Sequence, residues 1–262
     1  MHLDVTDLRD FYETARLGRI AKRALSAQIR ALWPDLHGLT VVGFGYAAPF
    51  VEPVRGEAAR TICLMPAQQG VCPWPGEGDN LAALVEETLW PLPRDFADRI
   101  LLAHGLETCE RPHALLEEVA RVLAPEGRVL VMAPNRAGLW ARRDATPFGF
   151  GRPYSIGQLE TALAAHGFRV ERHEAALYMP PSHRPFWLRL AGPIERAGQR
   201  LLPRRVAGVT LIEARKQLFA TPGSGAAEAA RVPIRVLEGL RPVPAPKPAA
   251  GRAAARARPE IG

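Results

Sequence analysis

The chain has 262 residues, 47% of them hydrophobic, with three cysteines and a formal net charge of +7. That length and apolar share suit a large α/β domain with a substantial core. Cys63, Cys72 and Cys109 form no CxxC pair, which argues against a zinc site or a disulfide framework and for three free thiols. Charges run through the segment from Met1 to Arg30, unlike a signal peptide, and no stretch approaches the ~20 apolar residues of a membrane span. The expectation is a cytoplasmic protein with no metal site and no membrane partner.

Thr6 or Asp7 can cap a first helix that carries Leu8, Phe11, Tyr12 and Ala15 at helical spacing. A second helix runs from about Leu17 to Trp33 and stops at Pro34. Residues 1–38 are therefore expected to form helices that pack on the core of a domain spanning 39–220. The period then changes. Leu39 to Val42 is a short buried strand entering the turn Gly43-Phe44-Gly45, and Ala47 and Ala48 would open the next helix, whose amides attract anions. Arg60 to Met65 is a second strand, closed by Pro66. Asn80 to Glu87 reads as weakly helical, and Arg99 to Ala103 as a third strand. Pro112 to Leu123 is an amphipathic helix with Leu115, Leu116, Val119 and Val122 on one side. Arg128 to Ala133 is a fourth strand, and Ser155 to Ala165 is a Ser-capped helix with Gly167 just past its end. Phe168 to Glu174 and Val209 to Phe219 are two late strands. Between them, residues 178–207 hold several prolines with Phe186 and Trp187, and read as a lid-like insertion.

Residues 221–262 carry seven Arg/Lys and three Glu, which leaves about +3 for the rest of the chain by subtraction. This Pro/Ala/Arg-rich tail has almost no large apolar residues after Leu240 and is expected to be disordered from there. No aromatics interleave with Arg252, Arg256 and Arg258, so no clear nucleic-acid site is read.

Apolar strands alternating with amphipathic helices predict a mostly parallel sheet covered on both faces. Ligands of such sheets sit at the carboxyl ends of the strands, here the loops after Val42, Met65, Ala103 and Ala133. The first loop offers Gly43, Phe44, Gly45, Tyr46 and Ala47. It matches GxGxxA formally, but nicotinamide folds want an acid at the end of the second strand. Leu64-Met65-Pro66-Ala67 supplies none, which disfavours a nicotinamide cofactor. Glu86 and Glu87 could accept a hydrogen bond from the amino group of an adenine or a substrate, or could be a solvated pair on a helix face. His104 follows the third strand directly. It could pack on a cofactor, orient a substrate or act as a base near neutral pH, or be structural. Asn135 and Arg136 could line the same site. No GxSxG, GxxxxGK[ST] or HExxH is present, which removes hydrolase, P-loop and zinc-protease readings.

The segment Asp98 to Arg136, DRILLAHGLETCERPHALLEEVARVLAPEGRVLVMAPNR, resembles the second half of a class I S-adenosylmethionine (SAM)-dependent methyltransferase of the type 11 kind. Strand, histidine-bearing loop, LLxExxRVLxPGGRVL-like helix and turn, and further strand occur in the family's order, and Glu86 to Asp98 resembles its acid followed by LPFPDxSFD. The resemblance covers about Leu39 to Phe219. It implies a Rossmann-like, seven-stranded, mostly parallel α/β sheet whose last strand is antiparallel. It implies SAM beside Gly43 and Gly45, with Phe44, Tyr46 and Ala47 in the same loop, Glu86 and its neighbour Glu87 near the adenine, and His104 lining the methyl-transfer pocket. It implies methyl transfer to an acceptor, expected to be a small molecule. The family's DxGxGxG loop is altered here, with Gly43 at the acid position and Ala47 and Pro49 at the later glycines. A non-catalytic binding or scaffold protein of the same fold is the alternative. The enzyme reading requires a hollow beside the Gly43–Gly45 bend. A bend plugged by side chains such as Phe44 or Tyr46 would leave only the architecture.

Overall fold

The computed structural model describes residues 3–144 and 146–217. The strands are β1 (Thr40–Gly45), β2 (Arg60–Pro66), β3 (Ala82–Val85), β4 (Ala97–Ala103), β5 (Leu123–Pro134), β6 (Phe168–Ala176) and β7 (Val209–Lys216). They form one sheet in the order β3-β2-β1-β4-β5-β7-β6. β1 to β5 are mutually parallel, whereas β7 runs antiparallel to β5 and β6. The helices are α1 (Val5–Arg9), α2 (Arg16–Leu32), α3 (Ala48–Val51), α4 (Pro112–Val122), α5 (Ile156–Ala165) and α6 (Pro185–Leu201).

The strands are apolar on both faces because both faces are covered. Successive side chains alternate between two cores. Val41, Met65, Leu101 and Leu211 join the layer containing α1, α2, α3 and α6. Val42, Phe44, Ile100 and Ile212 join the layer containing α4 and α5. At the amino end of the sheet, buried Glu213 accepts hydrogen bonds from Trp33 Nε1 at 2.9 Å and Arg172 Nε at 2.6 Å, tying the end of α2 to β6 and β7.

Several elements depart from the sequence expectation. Asp4, rather than Thr6 or Asp7, caps the first helix, its carboxylate accepting from Thr6 N at 2.8 Å. That helix ends at Arg9 and widens into a π-turn over Asp10–Thr14. Asn80 to Glu87 is not helical. Asn80 Oδ1 accepts from Trp74 N and Ala82 N, both at 3.1 Å, and the chain then adds β3 to the open edge of β2. The apolar spacing there suits either structure, and the free edge decides it. The helix after the glycine turn is four residues long and tightens into a 3-10 turn containing Pro53, too short to be an anion site. β5 begins at Leu123, so the Pro125-Glu126-Gly127 turn is absorbed as an irregularity in its pairing with β4. Ser155 and Gln158 form the capping box of α5. No described helix is long and apolar enough to cross a membrane. The expected tail, 221–262, and the end of the last expected strand lie outside the described residues.

Candidate active site

The strand order reverses between β1 and β4, and in open α/β sheets this is where the crevice for a ligand forms. Gly45 and Ala103 end these two strands side by side. Gly45 has φ +78, and a Cβ there would stand 2.3 Å from the Ala103 carbonyl oxygen. Glycine is thus required by backbone conformation and by the approach of β4. Tyr46 N donates to the same carbonyl at 2.8 Å, which fixes the bend.

His104 follows at φ +53, a left-handed conformation that is costly for a non-glycine residue. Its carbonyl is held by Gln69 Nε2 and by Thr108 Oγ1, the latter at 3.0 Å. Its ring is fully buried. Nε2 lies 2.6 Å from the Tyr12 hydroxyl, and Nδ1 lies 3.1 Å from Glu107 Oε1. Burial, with Glu107 and Tyr46 adding to it, raises the Tyr12 phenol well above its ordinary value. The phenol therefore stays protonated, and where it donates to Nε2 the ring hydrogen sits on Nδ1 beside Glu107. The approach of Nδ1 to Glu107 lies off the line of a hydrogen bond. Nδ1 and both Glu107 oxygens have no hydrogen-bond partner among the described residues. A buried carboxylate left so is costly.

Aromatic rings wall this group. Phe148 lies 4.9 Å from the His104 ring, and Trp140 and Phe11 flank Phe148 at 5.5 and 6.4 Å. Tyr12 stacks on Tyr46 at 6.0 Å and meets Phe50 edge-on at 5.2 Å. Trp140 is fixed by its Nε1 donating to Met179 O at 2.8 Å.

Of the residues singled out in the sequence, Gly43, Gly45, Tyr46, Ala47 and His104 do come together. Tyr46 and His104 both touch Tyr12, and Ala47 fills the space beneath Gly43, where a Cβ would meet it at 2.7 Å. Phe44 is a correction. Side chains alternate along β1, so its ring lies on the opposite face of the sheet, stacked on Trp90 at 4.9 Å. Glu86 is exposed. Glu87 is buried and accepts from Cys109 Sγ and Glu110 N, both at 3.3 Å, so it braces the loop after β4. Burial, then Glu87, pushes the Cys109 thiol up to about 12, keeping it protonated. Asn135 is likewise a brace, its Nδ2 donating to Arg205 O at 2.9 Å and Ala207 O at 2.8 Å. Arg136 Nε reaches Pro153 O at 3.3 Å. Tyr12, Gln69, Glu107 and Phe148 were not singled out. Glu107 carried a readable signal, three residues after His104 in HGLE, whereas Phe148 lies in a stretch with no period.

SAM, implied by the resemblance, does not fit this cleft as it stands. Every residue from Val41 to Val51 and from Leu101 to Glu107 is buried, and Tyr12 fills the space over the bend. The plug comes from the N-terminal segment, with Tyr46 beneath it and Phe44 elsewhere. The end of β2, Met65-Pro66-Ala67, offers no carboxylate to a ribose.

A methyltransferase-domain family model matches residues 32–173. No curated protein matches the chain in sequence. Among solved structures, a SAM-dependent methyltransferase of Thermotoga maritima, described as a possible histamine N-methyltransferase, superposes with TM-score 0.56 at 15% identity, covering 81% of this chain and 96% of that one. One from Archaeoglobus fulgidus gives 0.53 at 18% identity, with 81% and 100% covered. One from Mesorhizobium loti gives 0.52 at 16% identity, with 72% and 96% covered. At such identities these likenesses speak to the fold. With the domain match spanning more than half of its length, the chain belongs to the methyltransferase-domain family and is a class I methyltransferase.

Proposed function

We propose that the chain is a cytoplasmic enzyme that transfers a methyl group from SAM to a small-molecule acceptor at the crevice between β1 and β4, and that the segment Val5–Thr14 is a closure over this crevice that moves aside for SAM. The observation that carries the reading is His104, buried at the carboxyl end of β4, with Glu107 behind it and a protonated hydroxyl on its Nε2. An acceptor hydroxyl or amine in place of the Tyr12 oxygen would hand its proton to Nε2, and Glu107 would stabilise the imidazolium formed. The aromatic wall and the complete burial of His104 favour a small acceptor, because no macromolecular surface reaches the ring. SAM does not fit the shut cleft, so none of the remaining bend residues is given a role in the transfer.

The non-catalytic reading keeps one specific support, the missing carboxylate at the end of β2. Incubation with methyl-labelled SAM and fractionated cell extract separates the readings. Label entering the low-mass fraction, and lost with His104→Ala, supports the proposal. Label confined to protein or nucleic acid overturns the acceptor class. Absence of label from both the wild type and a variant with the N-terminal segment loosened overturns the enzyme reading in favour of the scaffold.

A further inference from the structure

The insertion between β6 and β7 forms α6, whose two sides are unlike. Leu188, Ala191, Glu195 and Gly198 face the core and are buried. On the opposite side, Phe186, Leu190, Pro193, Ala197 and Leu201 follow one another at spacings of three and four, which places them in a single stripe. This stripe is open to solvent, with Phe186 63% and Leu201 80% exposed. Surface hydrophobics scattered singly need no explanation, but a helical stripe of them does.

Cations line one flank of it and both ends. Arg189, Arg196 and Arg200 follow the same flank, Arg196 lining the groove with α2, and Arg184, Arg204 and Arg205 bracket the helix ends. α2 itself has no acidic residue and turns Arg23 toward the same groove as Arg196, with Arg16 and Arg19 further along. The groove between the helices has a volume of about 390 Å³ and is walled largely by Ile20, Ala24, Leu188 and Ala191. Among the described residues, no carboxylate pairs with Arg184, Arg189, Arg196, Arg200 or Arg205; Arg204 has a loose contact with Glu174 at 3.7 Å. The carboxylates lining the hollows beside these two helices are that Glu174, exposed Glu13 and buried Glu195.

We propose that α6 and the adjoining face of α2 dock on a membrane surface of anionic phospholipid. The stripe would enter the boundary between headgroups and acyl chains, and the arginines would meet the phosphates. A helix with an apolar face rimmed by basic residues lies in that boundary, and juxtaposed arginines add attraction to anionic lipid. Charge selects this occupant over the others. A second copy would set arginine against arginine. The chain's own residues 221–262, with seven Arg/Lys and three Glu, bring no complementary charge. RNA would use the arginines but leaves the apolar stripe without a partner. The expectation of no membrane partner drew on the lack of a spanning segment, a criterion blind to a helix lying in the interface plane. The inference does not depend on methyl transfer.

Flotation of the full chain with vesicles tests it. Binding is expected to vesicles of equal parts phosphatidylglycerol and phosphatidylcholine, absent with phosphatidylcholine alone and weakened by salt. The pair Phe186→Ser with Leu201→Ser changes exposed positions only, leaves the circular dichroism spectrum intact, and is expected to lower vesicle affinity at least about tenfold. No binding to the anionic vesicles overturns the proposal. So does binding unchanged by the serine pair, and so does an RNA oligonucleotide that strips the protein from the vesicles and is bound equally by wild type and serine variant.

Discussion

At the scale of single residues, the cleft concentrates costs that a purely structural core would avoid. His104 adopts a left-handed backbone, and Glu107 is a buried carboxylate without a hydrogen-bond donor among the described residues. Strain and unpaired charge of this kind gather at functional sites. Glu107→Gln removes the charge while keeping the shape. It is expected to stabilise the fold by about 1 kcal/mol in denaturant titration and to slow methyl transfer by about 100-fold. A destabilised variant with full activity would contradict the assigned role. Glu195 provides a test in pH. Burial raises its carboxyl above the ordinary value, against the lowering effect of hydrogen bonds from Tyr178 N, Leu177 N and Gln199. The folded chain therefore holds this proton more tightly than the unfolded chain. Its contribution to stability is present at low pH and declines as pH rises from the ordinary carboxylate range through the raised value. The Tm difference between wild type and Glu195→Gln is expected to shift against the wild type across that interval. The positions of Gly45 and His104 were legible from the sequence because each directly follows an apolar strand. Tyr12 was not, since helical spacing marks it as a core residue and says nothing of which core polar atom its hydroxyl meets.

At the scale of elements, legibility followed periodicity. β4, α4 and α5 stand close to where pattern and caps put them. β3 was missed because a four-residue edge strand has too few positions to show its period, and the π-turn because its geometry arises from packing rather than propensity. That packing depends on Gly18. A Cβ there would lie 1.7 Å from the Phe11 carbonyl oxygen, so α2 can approach the π-turn only without a side chain. Gly18→Ala must push residues 10–14 outward and withdraw Tyr12 from His104. The expected result is a Tm lowered by several degrees, equivalent to about 1–2 kcal/mol, together with tighter SAM binding in calorimetry. A fall in both would show that the segment supports the cofactor site. At the other end of the sheet, Glu213→Ala leaves Trp33 Nε1 without its acceptor and Arg172 without its carboxylate. It is expected to cost about 2 kcal/mol in chemical unfolding, moderated by the partial exposure of Arg172, without altering SAM binding.

At the scale of the whole molecule, the sheet order and its single reversed strand place the crevice at the junction of β1 and β4, and alternation of apolar strands with amphipathic helices made that architecture legible from the sequence. What the sequence could not convey is that the chain's own first helices lie in the crevice, because such a contact pairs residues about 90 positions apart and depends on shape rather than pattern. The central claim is that this crevice is the SAM site and that the N-terminal segment shuts it. Amide hydrogen exchange on the full chain, with and without millimolar SAM, tests this most directly. The account predicts that Val5–Thr14 loses protection on adding SAM while Gly43–Ala47 and the loop at His104 gain it. Unchanged protection in both regions at millimolar SAM would contradict it.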